Sequence, residues 1–160
     1  MYNFTVTSDK FLLQLAEMIG VKINQIKTKD NFVGKAKDGY YIINLDDSEG
    51  PGTHWTVMRI TPKFCIYFDS FGLPAPNDII KFARKRIIVY NNDQVQDIMS
   101  DACGYFCLDF IKFFDKYKNK DLDTTLKIGH KMNKFLLPYD VNDRKDNEKI
   151  LSERIKNILP

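Results

Sequence analysis

The stretch Ser100-Asp101-Ala102-Cys103-Gly104-Tyr105-Phe106-Cys107-Leu108-Asp109-Phe110-Ile111-Lys112-Phe113-Phe114 decides the fold. Ser100 is a good helix N-cap, because its short side-chain oxygen can accept from a free N–H of the first turn. The pattern predicts a helix from Asp101 to about Phe114. Ala102, Cys103, Phe106, Cys107, Phe110, Ile111 and Phe114 leave it little polar face. A helix apolar nearly all round belongs in the middle of a core.

Upstream of this helix the chain reads mostly as short strands. Thr7 or Ser8 can cap a first helix running to about Met18, with Phe11, Leu12, Leu15 and Ile19 on one face and Gly20 after its end. Residues 39–45, Gly-Tyr-Tyr-Ile-Ile-Asn-Leu, are rich in β-formers. Asp46 to Gly52 is a polar loop. Strands are predicted at 54–60 and 64–69, joined as a hairpin by Thr61-Pro62-Lys63. Pro76-Asn77-Asp78 opens a basic helix ending near Arg86, and Ile87-Ile88-Val89-Tyr90 is a short apolar strand. Two more helices are expected, at about 121–135 and 143–158. This order predicts an α+β fold: a small mixed β-sheet packed against a central buried helix, with flanking helices.

Composition narrows the function classes. The 160 residues suit one domain, expected over residues 1–160, and 44% hydrophobic with 28% charged residues is the balance of a globular chain. A net charge of +3 does not announce a nucleic-acid binder. No run reaches the length of a membrane span, and the N-terminus lacks the basic-then-apolar pattern of a secretory signal. Three cysteines, an odd number without paired metal-ligand spacing, point to a reducing compartment rather than a disulfide framework.

Cys103 is also the candidate for chemistry. A sulfur nucleophile must be a thiolate, and the first turn of a helix favours negative charge through its free N–H groups and the macrodipole. Gly104 lets a substrate approach the backbone closely. His54, at the start of a strand, is the candidate base. Asp69 ends the returning strand of the hairpin, where antiparallel pairing brings it near His54 and lets it fix the imidazole tautomer. Gln96, seven residues before the sulfur, is a candidate amide donor. With the Cys103 N–H it could bind the oxyanion of a tetrahedral intermediate. Trp55 could shield the pair from water.

At these residues the chain resembles the adenovirus-type cysteine proteases and, more distantly, the SUMO- and ubiquitin-like-protein proteases. The resemblance rests on Gly52-Thr53-His54-Trp55, on Tyr67-Phe68-Asp69-Ser70-Phe71-Gly72, and on Gln96 through Gly104 with Tyr105-Phe106-Cys107 after it. The spacing is Gln, three residues, Ser, two residues, Cys-Gly. The segment from Asn147 to Arg154 also falls in a comparable helix. The resemblance implies His54 as base, Asp69 as orienting acid, Cys103 as nucleophile and Gln96 as oxyanion donor. It implies an endopeptidase maturing viral precursor proteins at sites with small residues, chiefly glycine; the chain is further expected to act inside the virion or the infected cell, as a monomer and without cofactor or metal. Two departures stand out. Adenoviral enzymes usually carry Glu where Asp69 stands, and no cysteine lies between Cys65 and Cys103 to tether an activating peptide by a disulfide.

Blander readings remain open beside these. His130 is a rival base, Gln94 a fallback donor, and Asp101 a helper of the helix N-terminus. Asp46 and Asp47 read as solvated, and Cys65 and Cys107 as core. A metal site from His54, Cys103 and Cys107 lacks the usual spacing. Lys81, Arg84, Lys85 and Arg86 read as a solvated helix face or a nucleic-acid contact. A Gly-Gly isopeptidase and a Cys–His acyltransferase share the same residues with the endopeptidase.

Overall fold

The computed structural model describes residues 4–46 and 54–159. It is α+β, built on one five-stranded mixed sheet whose strands lie in chain order. The strands are β1 (Ile23–Thr28), β2 (Gly39–Asn44), β3 (Trp55–Ile60), β4 (Phe64–Phe68) and β5 (Ile87–Tyr90). β2, β3 and β4 run antiparallel, while β1 joins β2 and β5 joins β4 in parallel. The helices are α1 (Asp9–Met18), α2 (Asn77–Ala83), α3 (Cys103–Asp115), α4 (Thr125–Leu136) and α5 (Asn147–Ile158).

Both faces of the sheet are covered, which is why every residue of β3 and β4 is buried. On one face Ile42, Val57, Ile66 and Phe68 pack against Leu12 of α1, Phe106, Phe110 and Phe114 of α3, Phe135 of α4, and Leu151 and Ile155 of α5. Phe68 stacks on Phe110 with centroids 5.5 Å apart and planes 5° apart. On the other face Tyr41, Ile43, Met58 and Tyr67 meet Ile79 and Ala83 of α2. Each such side chain contributes about 1.5–3 kcal/mol by leaving water.

Boundaries differ from the sequence expectation where local bonds decide them. Ser8, not Thr7, caps α1, its Oγ accepting from Phe11 N at 3.2 Å. β1 was not foreseen. Its isoleucines are three apart among polar residues, and a register shift interrupts its pairing. It is held as a strand by its neighbours: Asn24 and Gln25 donate to the carbonyls of Asp38 and Val33, each at 3.0 Å. α2 ends at Ala83 instead of near Arg86, because Arg84 turns into the left-handed region at φ 56°. The helix expected from 121 is a short 3₁₀ turn, Asn119–Leu122, followed by α4 with Thr124 as its cap. The helix expected from 143 starts at Asn147.

One buried cation orients α3. Arg59 of β3 donates to the Phe114 carbonyl in the last turn at 2.5 Å and to Tyr40 Oη and Asn119 Oδ1, each at 3.3 Å. A guanidinium there adds a charged donor to a carbonyl that also accepts from Tyr117 N at 3.0 Å, and it complements the negative end of the helix dipole.

Candidate active site

α3 begins at Cys103, two residues later than the sequence suggested. Ser100 is not its N-cap. The Ser100 hydroxyl accepts from Ala102 N at 3.1 Å and donates to the Glu148 carboxylate of α5, a local turn that competes with capping. Ala102 stands at the cap position without a side-chain bond, and Cys103 is the first helical residue. Its N–H belongs to the group that helix geometry leaves without an intrahelical partner.

The hairpin supplies the imidazole. Pro62-Lys63 forms a tight turn between Thr61 and Phe64, and the ladder pairs Val57 with Phe68. Directly past the ladder the chain turns, Gly72 N donating to Asp69 O at 2.8 Å, and the turn sets Asp69 and Phe71 against His54. His54 Nε2 lies 2.7 Å from Asp69 Oδ1. That contact leaves Nδ1 as the ring nitrogen available to Cys103, which lines the same cavity as His54. Burial pulls the His54 pKa down, but the hydrogen bonds to Asp69 and Cys103 and the charges of both outweigh it. The net effect raises it from 6.5 to about 9. The direction of the shift favours the imidazolium.

Asp69 is fully buried and held from several sides. Its Oδ1 also accepts from Phe71 N at 2.8 Å. Asn91, just beyond β5, brackets its backbone, accepting from Asp69 N at 3.1 Å and donating to Asp69 O at 2.8 Å. Among the described residues, Asp69 Oδ2 has no hydrogen-bond partner. Gln96 is 1% exposed. Its Oε1 accepts from Ser70 Oγ at 2.5 Å and its Nε2 donates to Ser100 O at 2.8 Å. A primary amide has two N–H groups, so one remains.

His54, Gln96 and Cys103 line one cavity of about 320 Å³, walled by Val6, Trp55, Phe71, Ile98, Ser100 and Asp101. Trp55 Nε1 donates to Thr7 O at 3.0 Å, which fixes the N-terminal segment as one rim. Beyond Trp55 and Val6 lies a second cavity of about 460 Å³, reaching Asp9, Ile26 and Thr28.

Other expectations shift. Gly104 does not open the backbone to substrate: a Cβ there would lie 2.3 Å from Thr7 Oγ1 and 2.9 Å from Leu12 Cδ2. Its bareness admits the N-terminal segment and α1 instead. His130 is exposed on α4, outside the cavity. Gln94 donates to Gln96 O at 3.0 Å and so braces the loop. Asp101 is exposed at the cavity mouth. Asp46 is half-buried, while Asp47 and the loop through Thr53 lie outside the described residues. Burial pushes the Cys65 thiol up to about 12 and that of Cys107 well above its usual range. Among the described residues no three His, Cys, Asp or Glu gather as metal ligands, and no helix is long and apolar enough to cross a membrane. Lys81, Arg84 and Lys85 are exposed. Arg86 is not part of a free basic face; it donates to the carbonyls of Thr61 at 2.7 Å and Ala36 at 3.3 Å.

Phe71 and Asn91 were not singled out from sequence. Phe71 carried only a partial signal, since its place depends on the Asp69–Gly72 turn as well as on the hairpin register. Asn91 carried no comparable signal.

The adenovirus endoprotease family model matches residues 75–153, the stretch that holds Gln96 and Cys103. A protease of bovine adenovirus 7 is 29% identical over 106 residues, covering 55% of this chain and 52% of the relative. The chain thus spans about half the length of that curated relative. The selenomethionine crystal structure of an ASFV protease aligns with a TM-score of 0.36 at 19% identity, covering 56% of this chain and 41% of that one. By these matches the chain is similar to the adenovirus-type proteases.

Proposed function

We propose that this chain is a cysteine endopeptidase in which Cys103, His54, Asp69 and Gln96 carry the reaction. The observation that carries the reading is the contact of His54 Nε2 with Asp69 at 2.7 Å, with His54, Gln96 and Cys103 lining one cavity. Cys103 Sγ attacks the peptide carbonyl, and the oxyanion is bound by the Cys103 N–H and the second Gln96 amide N–H. The His54 imidazolium gives its proton to the leaving amine as the C–N bond breaks, leaving a thioester. Neutral His54 then takes a proton from water, which attacks the thioester and releases the acid. Asp69 holds the ring throughout. Neither a metal nor an organic cofactor has a step in this scheme.

The substrates proposed are viral precursor polypeptides, cut next to small residues such as glycine during virion maturation, in the virion or the infected cell. Two bulky aromatic walls, Trp55 and Phe71, in the cavity that Cys103 lines support small residues there. Any activating peptide would bind without a disulfide, since Cys65 and Cys107 are 0% and 1% exposed. Polyanion contact is assigned to Lys81, Arg84 and Lys85, and would make activity fall with added salt.

The test is purified protein with glycine-containing peptides and a thiol-directed probe. Cleavage and labelling should both vanish in Cys103→Ala. Full cleavage by that variant would sink the proposal.

A further inference from the structure

Glu148, in the first turn of α5, stands far in sequence from every residue of the proposed reaction, yet one hydrogen-bonded relay joins it to the oxyanion donor. We infer that Glu148 is a positioning residue for Gln96, acting through Ser100. The inference rests on the peptidase reading of the site.

The relay runs through three bonds. Ser100 Oγ donates to Glu148 Oε1. An ionised carboxylate only accepts, so the hydroxyl proton is committed to it and an Oγ lone pair is left facing Ala102 N, 3.1 Å away. The Ser100 peptide is thereby fixed on both sides. Its carbonyl, so oriented, receives Gln96 Nε2 at 2.8 Å. Ser70 Oγ holds Gln96 Oε1 at 2.5 Å, which sets which end of the amide faces which way. With one N–H on Ser100 O and the oxygen on Ser70, the direction of the second N–H is determined.

The neighbouring residue supports the same segment from its other end. Asn147 is fully buried and donates to Val95 O at 2.8 Å. The first two residues of α5 therefore touch both ends of the 95–100 loop. Asn147 sets where the loop lies, and Glu148 sets how its last peptide is turned. Bonds to charged partners are about twice as strong as neutral ones, which suits the second task.

The experiment compares Glu148→Ala, Gln96→Ala and the double variant with wild type. Three readouts are used: peptide hydrolysis, Cys103 alkylation by iodoacetamide, and affinity for a peptide aldehyde. The aldehyde adduct carries a tetrahedral oxyanion, whereas alkylation forms a C–S bond without one. Glu148→Ala should lower kcat roughly tenfold with KM unchanged, the signature of a contact made only in the transition state. Gln96→Ala should cost about 10²–10³. The double variant should match Gln96→Ala alone, because Glu148 acts only through that amide. Aldehyde affinity should fall in parallel with kcat, while the alkylation rate stays the same. Glu148→Gln, whose amide oxygen can still accept from Ser100, should recover most of the loss. Additive effects, an unmoved aldehyde affinity, or a loss seen only in Tm would overturn the inference. If Glu148→Ala does not fold, Ser100→Ala breaks the relay at its middle and carries the same expectations. A wild-type protein that alkylates but cuts no peptide would fail the peptidase reading alone. The aldehyde comparison would then decide the relay by itself.

Discussion

Phe71 lies flat on the imidazole of His54, with ring centroids 4.3 Å apart and planes 17° apart. The contact restrains the ring about the axis that its hydrogen bond to Asp69 leaves free. A π-face beside an imidazolium also favours the charged form. Phe71→Ala should lower kcat/KM about tenfold, while Phe71→Tyr should keep most activity. Steady-state kinetics of the two variants checks this. The backbone N–H that Phe71 gives to Asp69 survives both substitutions.

The raised His54 pKa sets a pH window. A basic group whose folded pKa lies above its unfolded value adds stability that is complete below the unfolded pKa. For His54 that contribution is full below pH 6.5 and is lost as pH rises towards about 9. Tm should decline across that interval. Activity should fall over the upper part of it, as the proton needed by the leaving amine is lost. Asp69→Asn removes two of the influences that raise the value, so both curves should move to lower pH. Its kcat should drop on the order of 100-fold. A Tm series and an NMR titration of the imidazole measure the shift. An unchanged pH dependence in Asp69→Asn would contradict the assignment.

Gly104→Ala should destabilise by about 1–3 kcal/mol, since the new methyl meets Thr7 Oγ1 and Leu12 Cδ2 inside van der Waals distance. Thr7→Ala should cost little alone, because among the described residues its buried hydroxyl has no partner. In the double variant the Thr7 change should return part of the loss, Leu12 accounting for the rest. Thermal melts of all three close the cycle.

Arg154 of α5 binds Asp109 of α3 at 2.9 Å, and Tyr139 Oη donates to the same carboxylate at 2.6 Å. Burial raises the Asp109 pKa, and the Arg154 charge and the Tyr139 bond oppose it. Arg154→Ala strands a buried carboxylate and should cost about 3 kcal/mol, a Tm loss of roughly 6–12 °C. Arg154→Ala with Asp109→Leu should regain part of it. Denaturation of the single and double variants reads this out.

The elements that sequence revealed are those whose own residues specify them. The apolar length of α3, the β-rich run before Asn44 and the Thr61-Pro62-Lys63 turn each signal their structure locally, and His54 and Asp69 follow from that turn. What sequence did not reveal depends on distant partners. β1 needs the 33–38 loop carbonyls. The late start of α3 needs Glu148, and the true use of Gly104 needs Thr7 and Leu12 folded over it. Arg86 looked like surface charge and is instead a donor to Thr61 and Ala36, because α2 stops short of it.

Arg59 and His54 stand at opposite ends of β3 and engage opposite ends of α3, Phe114 O and Cys103. Five strand residues advance roughly 16 Å. Eleven helical residues advance about the same distance. The two elements are therefore matched gauges, pinned at zero and at full scale. Losing or gaining one residue within α3 would displace the sulfur from the imidazole by about 1.5 Å and rotate it by roughly 100°, with every local contact of the hairpin intact. The interval between these two anchors thus tolerates changes of residue type far better than changes of length.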